Sequence, residues 1–343
     1  MMTRVIAVVL TYNRQELLQC CLDAIQQQTR RCDDILVINN ASTDGTREML
    51  ESGKYSDLKV YSLKKNMGAA GGFNAGFRLA YDNGADYVWM MDDDVIPETT
   101  ALERLLEADA LLEEKGAKRT YLLSTAFTET GQSTNTPQIS DKRNEAGHFG
   151  WPEQLEHGLV AVCSGTFVSI LLPRSTLKQY GLPISSMFIW GEDAEFTLRI
   201  TREAPGYLVG ASRVAHIRHG GASISIVAET NPVRIGYYKN FVRNNIFLAR
   251  KYKTRRRLFS VLFNNVVLTI KMLLKGEPRK AYVVMVGLTQ SLFFNPHSER
   301  VDADYDYSNI EKSTTHQADT YVDHSAGAAN PAMFAGLKYI RQS

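Results

Sequence analysis

Cysteine is scarce, with four residues in a chain of 343. Cys20 and Cys21 are adjacent, Cys32 and Cys163 stand alone, and no CxxC pair occurs. A disulfide scaffold, a zinc ribbon and a thioredoxin-type motif are thereby excluded, and the chemistry reads as that of a reducing, cytosolic compartment. Long hydrophobic runs are scarce as well. The N-terminal run Val5–Leu10 is six residues, too short for a signal core and the right length for a buried strand. Leu258–Leu274 is interrupted by Asn264, Asn265 and Lys271, and Ala281–Phe294 has 14 residues, so neither is expected to span a hydrocarbon core cleanly. No internal repeat and no long low-complexity segment occurs. With 44% hydrophobic and 22% charged residues, the chain has the means for a packed core, and global disorder is excluded.

Net charge is also small, at +2, but it is unevenly spread. Arg234–Lys280 holds thirteen Lys or Arg and one acid, Glu277, a net +12 in 47 residues, which leaves −10 for the rest. The change of sign near residue 234 marks a functional boundary. Three parts are therefore expected. The first is residues 1–233, divided near residue 100 into 1–100 and 101–233. Residues 234–297 are a basic amphipathic helical region, and 298–343 a polar tail, loosely ordered or packing late.

Strands are expected at Val5–Leu10, Ile35–Ile38, Leu58–Leu63 and Tyr87–Met91, with helices between them. Val160–Leu172 reads as strand material interrupted by Ser164-Gly165-Thr166. Tyr207–Ile217 is a further strand, and Glu129–Gly150 a long loop. The β-α-β alternation predicts an α/β fold with a mostly parallel sheet and helices on both faces. In such sheets ligands sit beyond the carboxyl ends of the strands, and each of the first four strands ends in a polar cluster.

Four clusters carry chemistry. In Trp89-Met90-Met91-Asp92-Asp93-Asp94 a strand ends in three carboxylates. Like charges at ~4 Å repel by roughly 1–4 kcal/mol at effective dielectrics of 80 to 20. Such a triplet is kept where a cation neutralises it, and all-oxygen ligands favour Mg²⁺ or Mn²⁺; a solvated acidic turn is the plain alternative. The glycine-rich run Asn66–Gly76 lets backbone approach a ligand, or simply packs a helix closely. It lacks GxGxxG and follows the third strand, which argues against a dinucleotide dehydrogenase. Trp190-Gly191-Glu192-Asp193-Ala194-Glu195-Phe196 crowds acids beside aromatics, which raises a carboxylate's pKa toward that of a general base; a capped helix start is the alternative. His216 and His219 follow the last strand, where a neutral imidazole can ligate a metal.

In this order, these clusters with Val9-Leu10-Thr11-Tyr12-Asn13-Arg14 and Val37–Thr46 resemble the inverting GT-A glycosyltransferases of the large bacterial family 2 type. The closest resemblance is to the galactofuranosyl- and rhamnosyltransferase branch that builds O-antigen and related cell-surface polysaccharides. The match covers roughly residues 4–250. It implies a GT-A fold, Rossmann-like, with the basic helical segment appended. It implies that Thr11, Asn13 and Arg14 line the nucleotide pocket and that Asn39, at the usual position of a base-binding aspartate, or its neighbour Asn40, meets the base. Asn66, Gly71 and Gly72 would border nucleoside and sugar. Asp92 and Asp94 would hold Mn²⁺ or Mg²⁺ on the diphosphate, with His216 or His219 as the imidazole ligand, and Asp93 would lie nearer the donor sugar. Asp193 would be the catalytic base, and Trp190 and Glu192 would meet the acceptor. The implied donor is UDP-galactofuranose, with dTDP-rhamnose the alternative, and the implied acceptor a polyprenyl-diphosphate-linked glycan.

Arg250-Lys251-Tyr252-Lys253-Thr254-Arg255-Arg256-Arg257 precedes an apolar run. Such a segment suits an anionic membrane surface, at roughly 1 kcal/mol per basic residue, and places the protein peripherally on the inner face of the plasma membrane. Nucleic acid is not expected, because no recognition motif accompanies the charge. A helical pair packed on the catalytic part, or an oligomer contact, is the other reading of this segment. A scaffold of the same fold without catalysis is the remote alternative to an enzyme.

Overall fold

The computed structural model describes residues 3–55, 58–217 and 224–314. The first half runs β1 (Val5–Thr11), α1 (Gln15–Gln26), β2 (Asp34–Asn39), α2 (Thr46–Glu51), β3 (Leu58–Leu63), α3 (Gly68–Asp82) and β4 (Tyr87–Asp92). Then come β5 (Val95–Pro97), α4 (Ala101–Glu114), β6 (Leu122–Phe127), β7 (Ser133–Thr134), β8 (Gln138–Ile139), β9 (Leu159–Ser164) and β10 (Ile170–Pro173). The rest is α5 (Arg174–Tyr180), α6 (Glu192–Ile200), β11 (Gly206–His216), α7 (Pro232–Tyr252), α8 (Arg255–Leu274), α9 (Pro278–Phe293) and β12 (Ile310–Thr314).

All strands join one sheet, in the order β12-β3-β2-β1-β4-β10-β6-β11-β9-β8, with β5 on β11 and β7 on β6. The parallel arrangement expected from the alternation holds for β3, β2, β1 and β4. Past β4 the sheet is mixed, because β10 inserts antiparallel between β4 and β6. The interruption at Ser164-Gly165-Thr166 ends β9, and the chain returns as β10.

β1 is buried along its whole length, as a central parallel strand covered on both faces must be. Val5, Ala7 and Val9 pack on one face with α1 and α4, while Ile6, Val8 and Leu10 pack on the other with α3. α3 explains most of the glycine-rich run. A Cβ at Gly76 would lie 2.8 Å from Val8 Cγ1 and 3.0 Å from Met90 Cε, and one at Gly72 would meet Leu10 Cδ1 at 2.3 Å. These glycines let the helix settle closely on the sheet.

The last described stretch is strapped to this body, not loose. β12 pairs antiparallel with β3. Buried Arg78 on α3 donates to Glu299 Oε2 at 3.0 Å and to the Val301 and Ala303 carbonyls at 3.2 and 3.1 Å. Residues expected to pack late thus extend the sheet as far as Thr314. The segment after residue 234 is helical, as its periodicity indicates, and divides at Lys253-Thr254 into α7 and α8. α8 continues through Asn264 and Asn265 because Asn265 turns its amide back onto the Val261 carbonyl at 2.8 Å. By length and composition α8 is long and apolar enough to cross a membrane.

Gly76→Ala is expected to lower stability by about 1–3 kcal/mol through overpacking, read as a lower urea midpoint at unchanged slope. An unchanged midpoint would mean that α3 does not sit this close to the sheet.

Candidate active site

The carboxyl ends of β1–β4 meet at a cavity of about 1010 Å³. Its wall includes Thr11, Arg14, Asn40, Asn66, Gly68, the acids Asp92, Asp93 and Asp94, the segment Phe188–Asp193, and His216. His216 reaches the acids through strand pairing. β5 follows the Asp triplet directly and runs antiparallel to β11, which sets His216 opposite Val95. The Ile217 amide then donates to the Asp94 carbonyl at 2.8 Å.

The three acids have different partners. Asp93 is buried and holds the turn after β1: its carboxylate accepts from Thr11 Oγ1 at 2.7 Å, from the Tyr12 amide at 3.3 Å and from Arg14 at 3.1 Å. Burial still pushes its pKa up to about 6. Asp94 pairs with Arg14 through Oδ2. Burial opposes its charge, but His216 and Arg14 hold it below the usual carboxylate range. Asp92 is raised well above that range by burial and by the charges of Asp94 and Asp93.

The fit of a cation can be tested on Asp94 Oδ1. This buried oxygen has no hydrogen-bond partner, and His216 Nε2 stands 3.3 Å from it. His216 Nδ1 lies 2.8 Å from Asn135 Oδ1, which leaves Nε2 as the ring nitrogen that faces Asp94. Two ligands of an octahedral ion at ~2.0–2.1 Å stand about 3 Å apart. The carboxylate and imidazole therefore fit neighbouring positions on a divalent ion. Among the described residues no group of three or more His, Cys, Asp or Glu is placed to hold a metal ion by itself. An open site suits Mg²⁺ or Mn²⁺, which take their remaining ligands from water and phosphate. His219 lies outside the described residues.

The opposite wall is a bent loop. Phe188 has φ 65°, Trp190 φ 64° and Gly191 φ 102°, all in the left-handed region. The bend delivers Glu192 and Asp193 into the first turn of α6, facing the cavity. Burial pushes both carboxyls up. Glu192 goes well above its usual range, and its Oε2 is buried without a hydrogen bond. Asp193 rises to about 6, moderated by the Ala194 amide, which donates to Oδ1 at 2.7 Å. Of the pair, Asp193 is the one ionised at neutral pH.

Four expected residues do not line this cavity. Asn13 and Asn39 sit at strand ends, but their side chains tie neighbouring turns together. Asn13 Oδ1 accepts from the Thr43 amide at 2.7 Å, and Asn39 Oδ1 from the Ser42 amide at 3.0 Å. Gly71 and Gly72 face Met67 and Leu10 inside the protein. The glycine at the cavity is Gly68, where φ is +70° and a Cβ would lie 2.1 Å from the Phe188 carbonyl oxygen. Asn40 lines the wall with its polar atoms engaged by Asn66, Met67 and Gly68.

Several wall residues carried no sequence signal. Asn135 lies in the polar loop Glu129–Gly150. Tyr237, Tyr238 and Phe241 come from α7, read only as part of the basic helix. Trp190 packs on Tyr238 at 4.8 Å and on Phe241 at 6.0 Å between ring centroids, and Phe188 on Tyr237 at 5.4 Å. An aromatic wall beside a candidate base suits the apolar face of a sugar ring.

Residues 6–117, less than half of the chain, match the model described as glycosyl transferase family 2. Beyond it, the chain resembles galactofuranosyltransferases. It is 40% identical over 103 residues to galactofuranosyltransferase GlfT1 of Mycolicibacterium smegmatis, covering 30% of this chain and 34% of that protein. It is 29% identical over 205 residues to GlfT1 of Mycobacterium tuberculosis, covering 58% and 64%. The matches thus span less than two thirds of these relatives. A solved structure of GalNAc-T7 with UDP, GalNAc and Mn²⁺ overlaps 72% of this chain and 51% of its own, at 15% identity and TM-score 0.49.

The elevated pKa of Asp193 has a defined sign. A base must be ionised, so kcat/KM is expected to rise with pH through about 6 and level off above it. A profile flat from pH 5 to 8 would exclude Asp193 as the titrating base.

Proposed function

We propose that this chain is an inverting, metal-dependent glycosyltransferase that moves a sugar from a nucleoside-diphosphate donor to a hydroxyl of a lipid-linked glycan. One observation carries the reading: Asp94 with His216, and Asp193 across from them, face a single cavity at the strand ends. Asp94 and His216 would hold Mn²⁺ or Mg²⁺, with Asp92 beside them. Bound there, the ion would act as a Lewis acid on the departing diphosphate. Thr11, Arg14, Asn40 and Asn66 lie where the nucleotide would sit, and Trp190 and Glu192 where the acceptor would.

Asp193 takes the proton of the acceptor hydroxyl. The hydroxyl oxygen bonds the anomeric carbon as the bond from that carbon to the diphosphate breaks, and the negative charge leaves on the diphosphate. One base on the side away from the leaving group supports a single displacement with inversion. Burial favours the protonated form of Glu192, which would donate to an acceptor oxygen.

UDP-galactofuranose is the proposed donor, supported by the galactofuranosyltransferase relatives. The rhamnosyltransferase reading, with dTDP-rhamnose as donor, stands second. A polyprenyl-diphosphate-linked glycan, in O-antigen or related surface polysaccharide synthesis, is the proposed acceptor. The helical segment supports a peripheral site on the cytoplasmic face of the plasma membrane. α8 and α9 expose Phe259, Phe263, Leu274, Leu292 and Phe293, and Arg255, Arg256 and Arg257 open α8. Basic residues beside exposed apolar ones suit an anionic lipid surface.

Two measurements test this. A donor panel compares the melting temperature with Mn²⁺ plus UDP, dTDP or GDP. The matching nucleotide at 100 times its dissociation constant is expected to add about 2.7 kcal/mol, and no shift with any nucleotide would remove the donor reading. Separately, the protein is expected to sediment with vesicles containing anionic lipid and to be released by high salt. Equal binding to neutral vesicles would count against the basic face.

A further inference from the structure

The loop Met187–Gly191 poses a problem that the first 233 residues do not solve. Three of its residues hold left-handed backbone, an arrangement L residues adopt only when their surroundings enforce it. The bend turns the Ile189 and Trp190 carbonyls toward α7, together with the Met187 carbonyl, which also accepts from the Ile189 amide at 2.8 Å. Buried carbonyls need donors. One side chain reaches all three. Asn244, fully buried on α7, directs Nδ2 to the carbonyls of Met187 at 2.9 Å, Ile189 at 3.2 Å and Trp190 at 2.8 Å.

The neighbouring residues complete a clamp. Arg243 donates to the Ser186 and Met187 carbonyls at 3.0 Å each, and its Nε donates to Asn244 Oδ1 at 3.1 Å, which fixes the amide's orientation. Gly191 lies against α7, where a Cβ would meet Leu248 Cδ1 at 3.3 Å and Asn244 Cβ at 3.5 Å. Directly after Gly191 the chain enters α6 with Glu192 and Asp193.

We propose that Asn244 is a positioning residue for the transfer reaction: it holds the strained loop in the one shape that presents Trp190 and Asp193 to the acceptor. The inference rests on the reading of Asp193 as the base. It makes α7 part of the reaction machinery as well as of the helical segment. The donor side is built from β1, β4 and β11 with the ends of β2 and β3, and none of these hydrogen-bonds Asn244. Loss of the clamp should therefore separate the two substrates.

The test is a steady-state series on the full chain. For Asn244→Ala, kcat is expected to fall about a hundredfold, the usual size of effect for a misplacement of about 1 Å, and the acceptor KM to rise. Affinity for UDP with Mn²⁺, by calorimetry, should stay within about twofold. Asn244→Asp, equal in shape but unable to donate when ionised, should be at least as impaired. Asn244→His, which keeps one N–H, should recover part of the activity. Tyr252→Phe is the stability control, since it removes a 2.6 Å bond to Glu195 on α6 without touching the loop. It should lower the melting temperature and leave kcat unchanged.

Near-normal kcat in Asn244→Ala overturns the proposal, as does a parallel loss of UDP affinity. Should the alanine variant fail to fold, the histidine and aspartate variants decide: equal activity in the two overturns it. Asp193→Asn keeps the failures apart. An active Asp193→Asn removes the base, whereas an inactive one beside a normal Asn244→Ala removes only the positioning.

Discussion

The cost of gathering carboxylates shapes this site. Asp92, Asp93 and Asp94 end one strand, and Glu192 and Asp193 start the helix across the cavity. Mutual repulsion and burial leave four of the five with raised pKa values. Only Asp94 is held low, and it is the one contacted by both Arg14 and His216. The surroundings therefore sort chemically similar groups into different states. Asp94 is held low, Glu192 is pushed well above its usual range, and Asp193 rises to about 6. A divalent ion would relieve the same repulsion, so its affinity and the acidity of its neighbours are one electrostatic problem.

The topology follows from that need. A parallel strand can end in acids because its carboxyl end opens into a crevice and not into packed helices. The imidazole comes from far along the chain, and β5 brings it there: three residues that follow the acid triplet at once and pair with β11. This short strand is a register device. A slip of one residue along β11 would turn His216 to the other face and separate it from Asp94.

Much of this was legible in the sequence. The parallel strands β1–β4 showed as apolar runs because both faces of the sheet are covered. The acid triplet, the Trp-Gly-Glu-Asp segment and His216 showed because their composition is odd for a strand end or helix start. Position past a strand end proved a weaker guide than chemistry. Asn13 and Asn39 sit at or just beyond strand ends and Gly71 and Gly72 in the first turns of α3, yet they serve turns and helix packing, since local hydrogen bonds and close approach select the same residue types as ligands do. Asn135 was invisible because a single Asn in a polar loop has no period. α7 was read by its charge alone, which hid the aromatic face it turns to the cavity. Its net charge is set by residues toward solvent, whereas Tyr238 and Asn244 are buried.

That division of one helix into two duties bears on how the halves of the molecule work together. α7 packs against α8 and α9, whose exposed apolar side chains and arginines form the candidate lipid face. Its other side meets the loop that carries Trp190, where Asn244 reaches the Trp190 carbonyl at 2.8 Å. On the proposed reading, an acceptor anchored in lipid would reach the cavity at a height set by that surface, and the candidate base would be held by a helix packed on the two that meet it. A tether between anchor and catalytic part would leave that height free. A packed helix would remove the freedom and limit the acceptor hydroxyl to the depth of Asp193.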